Sequence, residues 1–133
     1  MTGGVMACKS KFQATAALSS TEAEFTAAAE AGKTTPCPQS ILQELGCAQH
    51  SPTTLHINDQ GALFMANAEQ PTRRTRHMDT KNFATQHWTK EEHVTLEPIA
   101  TQDNASDHFS KALGRTKFCK QTDAMMGRRE PKI

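Results

Sequence analysis

Nineteen large apolar side chains are all that this chain of 133 residues has for building a core: 7 Leu, 4 Ile, 2 Val and 6 Phe. That is about 14% of the chain, and a fraction below about 20% is one mark of sequences that struggle to bury enough area to fold. The other mark, a large net charge, is missing, because 15 Lys and Arg stand against 14 Asp and Glu. The 36% hydrophobic content is inflated by 18 Ala, each of which buries little area. Composition therefore places the chain on the border of foldability. Its length allows one domain and excludes a large two-domain enzyme.

No apolar run approaches the roughly 18 residues that a spanning helix needs, and the start, MTGGVMACKSK, lacks the apolar stretch of a signal peptide. A soluble intracellular protein, cytoplasmic or nuclear, with no membrane partner is expected. Cys8, Cys37, Cys47 and Cys119 form no C-x-x-C pair and read as reduced thiols. None of the six histidines lies near a cysteine pair at zinc-ligand spacing. Charge is uneven: residues 1–66 carry a net −2 and residues 67–133 a net +3, with +5 on the last 23 residues. A basic end favours polyanion contact, although many such tails are only solvated.

Along the chain, residues 5–10 could form a short strand after Gly3 and Gly4. Ser19 followed three residues later by Glu22 is a capping box, and the Ala-rich run to Ala31 favours helix. Gly32, Pro36 and Pro38 break that pattern, and a second helical piece over residues 39–45 ends at Gly46, a good C-cap. Residues 53–58 (TTLHIN) alternate with the period of a strand, and residues 61–68 (GALFMANA) form a compact apolar helix. A basic loop, PTRRTR, covers residues 71–76, and a helix with a poor apolar face is expected over 78–90. Residues 93–99 (HVTLEPI) alternate again, and residues 103–113 place Ala105, Phe109, Ala112 and Leu113 on one helix side. Beyond Arg115 nothing is strongly periodic. The order is an α/β pattern without internal repeat.

Three acidic residues sit where such a sheet exposes its chemistry: Glu24 in the first helix, Asp59 just past the second expected strand and Asp107 in the last expected helix. Carboxylates converging from separate elements can hold two Mg2+ ions that activate a water and stabilise a leaving oxygen in phosphodiester cleavage. Taken singly, simpler roles are favoured. Glu24 reads as a solvated helix residue, Asp107 as an i,i+4 partner of Lys111, and Asp59 as the N-cap of the following helix.

The strings LSSTEAEF (18–25), GALFMANAEQPTRRTRHMD (61–79) and SDHFSKALGRTKF (106–118) change that balance. In order and spacing they closely resemble the ribonuclease H domain at the C-terminal end of copia-type LTR-retrotransposon polyproteins, with S-S-T-E-A-E-[YF], D-N-x-[GSA]-A, S/R-R-T-[KR]-H-[IM]-D and A-D-x-x-[ST]-K-A-L. The similarity runs from about Gly3 to Phe118. It implies a five-stranded mixed sheet flanked by helices and Mg2+-dependent (or Mn2+-dependent) hydrolysis of RNA in an RNA/DNA hybrid by four carboxylates. By motif position it assigns metal-binding and catalytic roles to Glu24 and Asp107. Arg73, Arg74, Arg76 and His77, with Lys111, would contact nucleic acid, as phosphate contacts that position without reading sequence.

The chain departs from the family in several places. The third acid belongs at the D of D-N, but here the pair is Asn58-Asp59, so an amide stands at the catalytic position and Asp59 is displaced. Successive strand side chains point to opposite faces, so Asp59 replaces its neighbour only if the strand end slips by one residue. The first acid and the first two strands, one of them central, have no counterpart. Thr34-Thr35-Pro36-Cys37-Pro38 interrupts what is one long helix in the family, where an internal proline costs about 3 kcal/mol. Thr80 and Thr85 replace usual aliphatic residues.

The resemblance thus implies an incomplete ribonuclease H-like α/β fold over residues 1–118, a mixed sheet lacking its first two strands and flanked by helices, followed by a basic tail over 119–133. Three functions remain open at this point. One is a two-metal nuclease using Glu24, Asp107 and the displaced Asp59. Another is a non-catalytic remnant with weak, salt-sensitive hybrid binding. The third is an unstable fragment that needs the missing strands from a partner chain or a reverse-transcriptase polyprotein. Activity lost or severely impaired in the isolated chain is the expectation, because two carboxylates rarely hold two cations about 4 Å apart.

Overall fold

Ser19 starts the first helix as its local sequence dictates. In the computed structural model, which describes residues 3–14, 16–68, 87 and 93–128, Ser19 has an extended backbone and its hydroxyl accepts the Glu22 N–H at 3.1 Å. The Glu22 carboxylate reaches back to accept the Leu18 N–H at 2.9 Å, one residue before the cap. Helix α1 then runs Ser20–Thr34 and buries Phe25, Thr26, Ala29 and Gly32. Gly32 does not end it. The helix is interrupted after Thr35, which keeps helical backbone angles and bonds the Ala31 carbonyl through its N–H and its hydroxyl, at 3.1 and 3.0 Å, because Pro36 and Pro38 have no N–H to donate to the preceding turn.

Helix α2, Pro36–Glu44, begins at the next residue. Pro36 and Pro38 both fall in its first turn, where N–H groups have no intrahelical acceptor. The expected cost of proline inside one long helix is thus avoided by splitting the helix in two. Gly46 closes α2 at φ 73°, a left-handed conformation that glycine adopts without strain. Its N–H bonds Gln43 O at 3.0 Å and the Cys47 N–H bonds Leu42 O at 2.8 Å, which is the Schellman pairing.

The chain forms two compact units, Thr15–Ile99 and Met1–Ala14 with Ala100–Ile133. The first holds α1, α2, strand β1 (Thr53–Ile57), helix α3 (Gln60–Asn67) and strand β2 (Val94–Pro98). The strands pair in parallel, Thr53 opposite Val94 through Ile57 opposite Pro98, and α3 lies on the connection between them. The core of this unit is Phe25, Ile57, Ala62 and Ala66, with Ala28, Leu63, Met65 and Leu96 packed against it. Helices α1 and α3 approach closely at Gly61, where a Cβ would stand 2.9 Å from Thr21 Cγ2. The small-residue stripe of α1 permits that approach.

The second unit differs most from expectation. Residues 5–10 form no strand: Val5 donates its N–H to Met125 O at 2.9 Å, and no described strand lies alongside to pair with them. Of the helix expected over 103–113, only α4, Asp107–Ser110, is helical. Residues 101–106 turn instead, because Asn104 Oδ1 accepts both the N–H and the hydroxyl of Ser106, at 3.2 and 2.7 Å, a local competitor of helix. The aperiodic end contains helix α5, Arg115–Met125, which runs through the expected boundary at 118/119. Gln121 anchors it by burying its amide and donating to Asn104 O at 2.8 Å. Of the helix expected over 78–90, with Thr80 and Thr85, only His87 is among the described residues, and it is helical. No helix among the described residues is long and apolar enough to cross a membrane.

Candidate functional site

The capping box consumes Glu22, so α1 presents Glu24 as its remaining acid near the N-terminus, half-buried. Thr21, three residues earlier and on the same side of the helix, donates its hydroxyl to Asp59 Oδ2 at 3.3 Å. That contact turns the Glu24 side of α1 toward the start of α3. Asp59 itself has an extended backbone and is the N-cap of α3, its Oδ1 accepting the Ala62 N–H at 2.8 Å. Both of its oxygens are therefore engaged. Asn58, half-buried, follows the last residue of β1.

Asp107 belongs to the other unit and is buried, 3% exposed. Lys111 meets its Oδ1 at 2.7 Å and Lys117 its Oδ2 at 2.8 Å. Burial pushes the carboxyl upward, but the hydrogen bonds from Lys111 and Lys117 outweigh it and hold the group below the ordinary value of 3.8. The i,i+4 pair with Lys111 was legible from spacing. Lys117 was not: it is ten residues away, beyond the turn at 111–114, and also donates to Thr101 O at 2.9 Å. Asp103 is likewise held below its ordinary value by its hydrogen bond with Lys120, 2.7 Å away.

Among the described residues, no group of three or more His, Cys, Asp or Glu side chains gathers to hold a metal. Arg73, Arg74, Arg76 and His77 lie outside the described residues, and Lys111 is occupied by Asp107. All four cysteines are exposed free thiols. An open polar groove of about 360 Å³ lies near the N-terminal ends of the two strands, lined by Gln39, Gln43, Gln49, His50 and His93 among others, and none of the expected site residues lines it.

Against known proteins, the chain is 34% identical, in an alignment of 129 residues that covers 92% of the chain, to the retrovirus-related Pol polyprotein from transposon TNT 1-94 of Nicotiana tabacum. The chain is homologous to a segment of a retrotransposon polyprotein. It spans 9% of that relative's length. The similarity supports a retrotransposon-derived domain. No family model and no solved structure matches the chain.

Proposed function

We propose that this segment is a diverged copy of the ribonuclease H-type part of a Pol polyprotein, and that its cleavage of RNA in RNA/DNA hybrids is lost or severely impaired. The engagement of Asp59 carries the second half of this reading. Its oxygens cap α3 and accept from Thr21, while the position the family motif gives to an acid holds the neutral Asn58. Asp107 adds support, since two ammonium groups occupy its oxygens. Holding two Mg2+ or Mn2+ ions about 4 Å apart takes several free carboxylates. This donor set does not fit such a centre.

The test is degradation of a labelled RNA/DNA hybrid with Mg2+ or Mn2+ by the chain, by Glu24→Gln and by Asn58→Asp. Cleavage no faster than a protein-free blank is expected from all three. Cleavage by the unaltered chain that Glu24→Gln abolishes would overturn the proposal.

A second reading, a remnant that needs strands from a partner chain, is favoured by the two-stranded parallel sheet of the described residues. Parallel sheets are ordinarily larger and covered on both faces, and an open strand edge invites pairing. A sharp cooperative melt of the isolated chain counts against it.

A further inference from the structure

The unit formed by Met1–Ala14 and Ala100–Ile133 collects positive charge. It holds nine basic and four acidic side chains, net +5, whereas Thr15–Ile99 holds six and ten, net −4. Two of those four acids are already neutralised within the unit, Asp107 by Lys111 and Lys117, and Asp103 by Lys120.

The same unit exposes aromatic rings. His108 stacks on Phe118, with centroids 4.6 Å apart and planes at 28°, and meets Phe109 edge-on at 5.5 Å. Phe118 and Phe109 remain 48% and 40% exposed, so both rings keep area facing solvent. Ser10 donates its hydroxyl to Phe109 O at 3.3 Å. That bond fixes residue 10 against the Phe109 backbone, and the fully exposed Phe12 follows two residues further on. On α5, exposed Arg115 lies one turn before Phe118, on the same side of the helix.

An exposed apolar patch alone fits a protein partner. Rings interleaved with a surplus of cations fit a polyanion that also offers flat faces, and single-stranded nucleic acid has both. A duplex keeps its base faces in the stack and offers the rings only its backbone. We propose that this unit binds single-stranded DNA or RNA, with Phe12, Phe109 and Phe118 stacking on bases and Arg115, within the unit's surplus of positive charge, meeting phosphates. This goes beyond the hybrid-cleavage reading, needs no metal, and uses none of residues 73–77.

Fluorescence anisotropy of the full chain tests it, with a labelled oligothymidylate of about 20 nucleotides, an RNA/DNA hybrid of equal length and an abasic strand as a base-free polyanion. The oligothymidylate is expected to bind about fivefold or more tighter than either of the others, and to weaken as salt rises. Phe12→Ala, at a side chain with no packing to lose, and Phe118→Leu are each expected to weaken it about fivefold, with far-UV circular dichroism showing the variants folded as the parent. Arg115→Glu is expected to weaken the oligothymidylate and the abasic strand alike. Equal affinity for the abasic strand, or indifference to both phenylalanine changes, would overturn the proposal. Hybrid bound more tightly than the oligothymidylate, with the patch variants changing neither affinity, would overturn it while leaving the ribonuclease H-type reading standing. Failure of the folded chain to bind any strand would also overturn it and leave the rings to a protein partner.

Discussion

Asp107 shows how a buried acid in this chain is satisfied. Its side chain is 4% exposed and its two oxygens each meet one lysine. Because the folded carboxyl titrates below its ordinary value of 3.8, the native state binds fewer protons than the unfolded one in that range. The stabilisation is complete above the unfolded value and is lost as pH falls through the lower folded value. Urea midpoints are expected to fall on acidification below about pH 4, and less steeply in Asp107→Asn. At neutral pH that substitution should cost about 2 kcal/mol, since it weakens charged hydrogen bonds to a buried group. Of the two lysines, Lys111 is 52% exposed and Lys117 28%. Solvent screens the former more, so Lys117→Met should lower the midpoint further than Lys111→Met. Spacing made only Lys111 visible.

At the scale of elements, local signals and packing part company. The caps at Ser19 and Asp59 and the turn at Gly46 form as expected, because each is a bond between residues three to five apart. The close approach of α1 to α3 has no such signature. Gly61 sits against Thr21, and an alanine there would bring Cβ within 2.9 Å of Thr21 Cγ2. Gly61→Ala is therefore expected to destabilise by about 1–3 kcal/mol as the helices are pushed apart. Adding Thr21→Ser, which deletes that methyl, should recover part of the loss in the same chemical-denaturation measurement. Helix α5 illustrates the opposite failure. It lacks an apolar stripe and is held by Gln121 and Lys117 reaching residues of the 101–107 segment. Gly127, closing it as Gly46 closes α2, was the one local cue to its end.

For the whole molecule, the scarcity of large apolar residues becomes a statement about burial. Phe25 is the one large side chain that is fully buried among the described residues, while Phe12, Leu18, Leu45 and Phe64 are exposed. A well-packed domain of 133 residues unfolds with an enthalpy near about 90 kcal/mol at 60 °C. Calorimetry of this chain is expected to give well below that value, with a broad far-UV transition. A sharp transition at full enthalpy would show a core that the burial of the described residues does not contain, and would also weigh against the need for strands from a partner. The two units differ in net charge, +5 and −4; the proposed single-strand surface belongs to the first, Glu24 and Asp59 to the second.

The sequence by itself determined where α1 and α3 begin, where α2 ends, and that two alternating segments are strands, because these depend on hydrogen bonds and side-chain periods within a few residues. It also carried the motifs that agree with a retrotransposon polyprotein relative. Only the tertiary structure decided that β1 and β2 pair in parallel, that residues 5–10 form no strand, that α5 is a helix, and that Lys117 joins Lys111 on Asp107. A strand exists only beside a partner, and a polar helix only where distant groups satisfy it. Those conditions are set by residues far apart in the chain, which no local period records.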